Sequence, residues 1–188
     1  MSDYTPIEVE VKIPIEDFES VYLRLGETGF VHTRTRKEED VYFNSLYYDL
    51  KERDKALRIR RTIDLETKRR WAELNCKGPK LDTVSMSRKE VEIPIEDPDA
   101  MESILNEIGF LKVEHSVEKL RYYFMKDRVT AALDRVEGLG DFLELEIVEQ
   151  GETMREQCLE EIEELMETLG YKMQDTVRRS YLSMLMER

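Results

Sequence analysis

The stretch PIEVEVKIPI, residues 6–15, alternates with a period of two. Ile7, Val9, Val11, Ile13 and Ile15 share one parity; Glu8, Glu10 and Lys12 share the other. That spacing specifies a β-strand with one face in a core. The same pattern recurs along the chain. Leu57 and Ile59 oppose Arg58 and Arg60, and Ala72, Leu74 and Cys76 oppose Glu73, Asn75 and Lys77. Val91, Ile93 and Ile95 oppose Arg88, Glu90 and Glu92. Leu120, Tyr122 and Phe124 oppose Lys119, Arg121 and Tyr123, and Leu143, Leu145 and Ile147 oppose Glu144 and Glu146. Nearly every predicted strand therefore has one apolar face and one ionic face.

For one antiparallel strand, the ordinary meaning is a sheet face turned to water. Two features favour another arrangement. First, four amphipathic helices are expected. One carries Phe18, Val21, Tyr22 and Leu25 on one side, a second Met101, Ile104, Leu105 and Ile108. A third carries Met154, Cys158, Leu159, Ile162, Leu165, Met166 and Leu169, and the fourth runs from about 175 to 187. Each must cover apolar surface, and the apolar face of the sheet supplies it. Second, the ionic face mixes signs in dense rows. Strands are expected at 6–15, within EDVYFNSLYYD (39–49), at 56–64, in RRWAELNCKGPK up to a break at Gly78-Pro79, in SRKEVEIPIED, and at 113–126, 129–137 and 141–149. The expected fold is α+β: an eight-stranded antiparallel closed β-barrel with a polar lumen and the helices packed outside. Such a barrel holds side chains or one small ligand.

Charges enclosed in a lumen are costly unless paired or coordinated. Basic rows suit phosphate oxygens, which arginine forks bind in pairs. Rows of carboxylates suit Mg²⁺ or Mn²⁺, which take oxygen ligands and sit between protein carboxylates and substrate phosphates.

EVEVKIPIEDFESVYLRLGETGF (8–30) echoes EVEIPIEDPDAMESILNEIGF (90–110). The pieces that follow echo in the same order: DVYF and RYYF, ALRIRR and AALDRV, WAELNCK and FLELEIV. The reading is one domain over 1–188, made of two halves, about 6–80 and 86–149, plus C-terminal helices over 152–187. The net charge of −13 repels phosphate backbones and argues against a nucleic-acid partner. Cys76 and Cys158 lie far apart, outside any disulfide or redox motif, which suits a reducing cytoplasm. His32 and His115 have no zinc-type spacing. No secretory signal and no apolar run of membrane-spanning length is read, so no membrane partner is expected.

EVEVK at 8–12 resembles the Glu-x-Glu-x-Lys signature of the CYTH superfamily, the triphosphate tunnel metalloenzymes. DVYF (40–43), LRIR (57–60), CKGP (76–79), SRKEVE (87–92), EKLRYYF (118–124), LDRVEGLGDFLELE (133–146) and SYLSML (180–185) follow in the family's order over almost the whole chain. The resemblance implies an eight-stranded tunnel acting on a small-molecule triphosphate with Mg²⁺ or Mn²⁺. Carried over by position, it implies triphosphate binding by Lys12, Arg58, Arg60, Lys77, Arg88, Lys119 and Arg121. It implies metal binding by Glu8, Glu10, Glu144 and Glu146, with Glu90, Glu92 and Asp134 as further candidates. Among these, Glu10, Lys12 and Arg60 are expected to carry catalysis. LNCKGP departs from the family, which often has a hydroxyl residue near that lysine; this leaves Asn75 and Cys76 without an expected role.

The resemblance is nearest to the CyaB-like branch, the class IV adenylyl cyclases, which convert ATP to cyclic AMP and pyrophosphate. Thiamine or inorganic triphosphatase activity is the alternative within the family. A nucleotide- or polyphosphate-binding module without turnover is the non-enzyme alternative, and lumen salt bridges with no ligand are the plainest one. The sequence is also compatible with a homodimer.

Overall fold

The computed structural model describes residues 6–150 and 152–188. Eight strands, β1 (Pro6–Ile15), β2 (Val31–Ser45), β3 (Ala56–Asp64), β4 (Arg70–Lys80), β5 (Arg88–Ile95), β6 (Phe110–Lys126), β7 (Val129–Val136) and β8 (Gly140–Gln150), form one closed antiparallel barrel. The helices are α1 (Phe18–Glu27), α2 (Pro98–Glu107), α3 (Arg155–Thr168) and α4 (Tyr181–Leu185). Around the barrel the order is β1-β5-β4-β3-β2-β6-β7-β8. Exchanging β1–β4 with β5–β8 reproduces the same ring.

The two crossover helices are built alike. Asp17 and Asp97 cap them with φ/ψ of −123°/94° and −122°/94°, the Asp17 carboxylate accepting from the Ser20 N–H and that of Asp97 from the N–H groups of Asp99 and Ala100. Both helices end before a glycine with positive φ, Gly29 at 90° and Gly109 at 91°, where a side chain would be strained.

The largest core lies outside the barrel wall. Val9, Val11, Ile13, Leu133, Leu143, Leu145 and Ile147 pack under Phe18, Val21 and Leu25 of α1 and under Cys158, Ile162, Met166 and Leu169 of α3. The apolar parity therefore faces the helices, and the ionic parity faces the lumen. α2 covers less than its sequence stripe promised. Leu105 is buried against Val41, Phe43 and Ile59, but Ile104 and Ile108 are 55% and 63% exposed. Val91 and Ile93 of β5 are likewise open at 56% and 49%; of that strand's apolar residues only Ile95 joins the cluster under α2.

Several boundaries differ from the sequence reading. β2 begins at Val31, eight residues before the expected segment, and ends at Ser45; β4 runs through Gly78-Pro79 to Lys80. The expected terminal helix is reduced to α4, after a short 3-10 turn at Met173–Asp175. The residues between are held extended by other partners. Val177 donates its N–H to the Lys12 carbonyl, and the Arg178 guanidinium donates to the Ser85 and Asp82 carbonyls. Val177, Tyr181, Leu182 and Leu185 then pack on Tyr42, Val117, Val136 and Phe142. Those last four share the inward parity, so one end of the lumen is apolar and is covered by the C-terminal segment.

Candidate active site

The lumen is a cavity of about 740 Å³. Its lining includes Lys12, Arg58, Arg60, Lys77, Arg88, Lys119 and Arg121, together with Glu8, Glu10, Glu90, Glu92, Glu144 and Glu146. Of the residues that the sequence placed in the site, only Asp134 is absent from that lining. It is fully buried behind Arg121, whose guanidinium donates to both its oxygens at 2.7 and 2.5 Å. In a chain of net charge −13, the described lining carries fourteen Lys and Arg against ten Asp and Glu. Part of that excess comes from outside the strands, from Lys51 and Lys55 after β2 and from Arg178 and Arg179 of the C-terminal segment.

Most lumen cations already have partners. Lys12 Nζ lies 3.2 Å from Glu144 and 3.9 Å from Glu10. Lys77 contacts Glu8 and stands 2.9 Å from Glu90. Arg121 also reaches Glu144. Arg60 donates to both oxygens of Asp40 at 2.6 and 2.8 Å and lies 3.2 Å from Glu38. Arg58 donates to Asp40 at 3.1 Å. Lys119 lies 3.4 Å from Glu38, and burial followed by Arg121 pushes its ammonium pKa down. Arg88 sits at the rim, clasping the Asp54 carbonyl and carboxylate and the Gly78 carbonyl.

The acids are less evenly matched. Glu10 and Glu146 face each other on the β1–β8 ladder, and Glu144 faces Lys12. Among the described residues Glu146 has no hydrogen bond or ion pair, and burial followed by Glu8 and Glu10 raises its pKa well above the carboxylate range. Burial and then Glu144 raise Glu10 to about 7; burial and then Glu8 raise Glu90 to about 8. Burial acts the same way on Glu8 and Glu144, but Lys77 holds the former low, and Arg121 with Lys12 the latter. The β1–β8 wall thus carries hard oxygen donors, two of which, Glu10 and Glu146, lack the positive charge needed to ionise readily, the chemistry that a divalent cation satisfies. Among the described residues, however, no three acidic, His or Cys side chains are already gathered closely enough to hold an ion.

The sequence reading missed much of β2. Arg34, Arg36 and Glu38 line the cavity, and Asp40 braces Arg58 and Arg60 from behind. It also missed Tyr181, whose ring lies 4.0 Å from Lys12 Nζ and whose hydroxyl donates to Asp134 at 2.9 Å. Asn75 proves to be a lumen residue, donating to Glu90 and, at 3.3 Å, to Glu92; Cys76 points outward and is exposed. Trp71 packs against the Arg36 and Arg69 guanidinium groups, and the Tyr123 hydroxyl donates to Glu38 at 2.7 Å.

Comparison with known proteins agrees with this geometry. The chain is 37% identical over 178 residues to MJ0240 of Methanocaldococcus jannaschii, provisionally named an adenylate cyclase, covering 95% of this chain and 98% of that one. It is 27% identical over 175 residues to adenylate cyclase CyaB of Aeromonas hydrophila, covering 93% and 86%. The solved structure of PH1819 from Pyrococcus horikoshii superposes with a TM-score of 0.87 at 34% identity, covering 96% and 98%. The CYTH domain model matches residues 6–181, and the chain belongs to the CYTH domain family.

Proposed function

We propose that the lumen binds a nucleoside triphosphate with a divalent cation and converts it to a cyclic nucleotide and pyrophosphate, as an adenylyl cyclase of the CyaB type. The observation that carries the triphosphate reading is the basic excess of the lining within an acidic chain. The cyclase reading also draws on the names of MJ0240 and CyaB, both similar over nearly the whole chain.

Lys12, Arg58, Arg60, Lys77, Lys119 and Arg121 bind and orient the phosphates, and Arg88 fixes the rim through Asp54. Glu8, Glu10 and Glu146 would hold Mg²⁺ or Mn²⁺, with Glu144, Glu90 and Glu92 nearby; Asp134 acts through Arg121. The cation, when bound, neutralises phosphate charge and polarises the phosphorus–oxygen bonds. The ribose 3′-oxygen forms a bond to the α-phosphorus as the α–β bridging bond breaks and pyrophosphate leaves. The hydroxyl proton needs an acceptor, and Glu90, a carboxylate raised to about 8 by burial and then Glu8, lies in the useful range. Positioning and charge neutralisation supply most of the acceleration.

The same lumen would serve a triphosphatase if water attacked the terminal phosphorus. Incubation with Mg²⁺ or Mn²⁺ and ATP, thiamine triphosphate or tripolyphosphate separates the readings. Cyclic AMP with pyrophosphate supports the cyclase; orthophosphate release shows a hydrolase; metal-dependent binding without turnover shows a binding module. A cytoplasmic setting suits the two unbridged cysteines, and no helix among the described residues is long and apolar enough to cross a membrane.

A further inference from the structure

Two lumen cations on the barrel strands differ from the others there. Arg34 and Arg36 line the cavity, yet among the described residues neither makes a hydrogen bond or an ion pair. The Nε atoms of both are buried without a partner. What they do touch is aromatic. Arg34 stacks 4.6 Å from the Tyr123 ring; Arg36 lies 4.6 Å from Trp71 and 5.0 Å from Tyr123. Stacking fixes the plane of a guanidinium while leaving its N–H edge free, the form in which arginine binds a phosphate group in two-pronged fashion. Arg36 stands opposite Arg121 on the β2–β6 ladder, and Arg121 already holds Asp134 and Glu144, so the carboxylates at that level are committed to Arg121 rather than to Arg36.

Their place in the lumen is set by strand order. Along β2, Arg34 and Arg36 come first, then Glu38 and Asp40, which are paired to Arg58, Arg60 and Lys119, then Tyr42 of the apolar end. Arg36 therefore stands at the edge of the ion-paired belt, level with Arg121, and Arg34 lies beyond it, on the side away from the C-terminal segment. An anion bound by the belt must compete with carboxylates already in place. An anion at Arg34 and Arg36 displaces none.

We propose that Arg34 and Arg36 form an anion subsite that holds one end of a polyphosphate chain whose remaining phosphates lie in the belt, so that the lumen selects for chain length. The inference rests on the triphosphate reading above.

The test is calorimetric titration of the full chain with tripolyphosphate and with pyrophosphate, in EDTA and again with Ca²⁺. Thermal melting serves as the folding control. The double variant Arg34→Gln/Arg36→Gln is expected to lose at least about tenfold in tripolyphosphate affinity and less than about twofold in pyrophosphate affinity. Should that variant fail to fold, the single variants Arg34→Lys and Arg36→Lys carry the comparison. They keep the charge, lose the fork and the stack, and are expected to show the same selective loss at about threefold each. Unchanged tripolyphosphate affinity in folded variants, or equal losses for both ligands, overturns the subsite and leaves the belt intact. A wild-type protein that binds neither ligand in either buffer overturns the subsite and the triphosphate reading together.

Discussion

Glu10 of β1 and Glu146 of β8 are direct cross-strand neighbours, both on the lumen side of the wall. Like charges so placed destabilise a sheet by about 0.2–1 kcal/mol unless something neutralises them. Glu10→Gln should therefore raise the melting temperature of the metal-free protein at pH 8, by up to about 4 °C, while lowering turnover at least about a hundredfold. Melting in EDTA and an activity assay on the same sample check both halves. A lower melting temperature would contradict the role given to the pair.

The same crowding sets a pH dependence. Glu10 is raised from 4.5 to about 7 and Glu90 to about 8, in each case by burial first. Between pH 4.5 and those values, the unfolded chain has released protons that the folded chain retains. Stability from these groups therefore falls as pH rises through that window. Glu8, Glu38, Asp40 and Glu144 are held low, so their contribution is lost only below it, as pH falls. The metal-free protein should unfold at a lower urea midpoint at pH 8 than at pH 5.5. Saturating Mg²⁺ should narrow the gap, because a cation favours the ionised carboxylates.

Arg60 holds two buried acids, Asp40 and Glu38. Arg60→Ala should abolish turnover and also cost about 1–3 kcal/mol, since it leaves Asp40 with Arg58 alone and Glu38 with Lys119 and Tyr123. Adding Asp40→Asn should recover part of the stability and none of the activity. Urea titration of the single and double variants tests this, and full stability in the single variant would show that the pair does not behave as a buried one.

Tyr181 links the C-terminal segment to the basic wall through Asp134 and Lys12. Tyr181→Phe keeps the ring and removes one buried hydrogen bond, a loss of about 1 kcal/mol. If the tyrosine positions Arg121 through Asp134, KM should rise up to about fivefold with kcat nearly unchanged. An unaltered KM would reduce Tyr181 to a packing residue.

The barrel and most of its lining were legible because period two separates faces wherever the outer face is roofed. β1 and β8 lie under α1 and α3, so their apolar residues announced which side carried Glu8, Glu10, Lys12, Glu144 and Glu146. In the first half of β2 the roof reaches little beyond His32, which packs on Tyr22 of α1. Thr33 and Lys37 are exposed, both faces are polar, and alternation gave no signal for Arg34 and Arg36. The apolar lumen end was hidden for the opposite reason. Val117, Val136 and Phe142 interrupt ionic rows, and only the path of the C-terminal segment explains them. Asp134 has the right chemistry and the wrong depth, and parity along a strand cannot report depth.

The wall closes where β1 meets β8, in register from Pro6 opposite Gln150 to Ile15 opposite Asp141. The earliest-made strand must wait for nearly the last one before its backbone groups are satisfied. Joining segments so distant in sequence spends much chain entropy before any ladder forms, which makes folding slow and leaves an unpaired edge open to other chains in the meantime. Both sides of that seam bring acids to it, so the same late step that completes the ring also assembles Glu10 against Glu146.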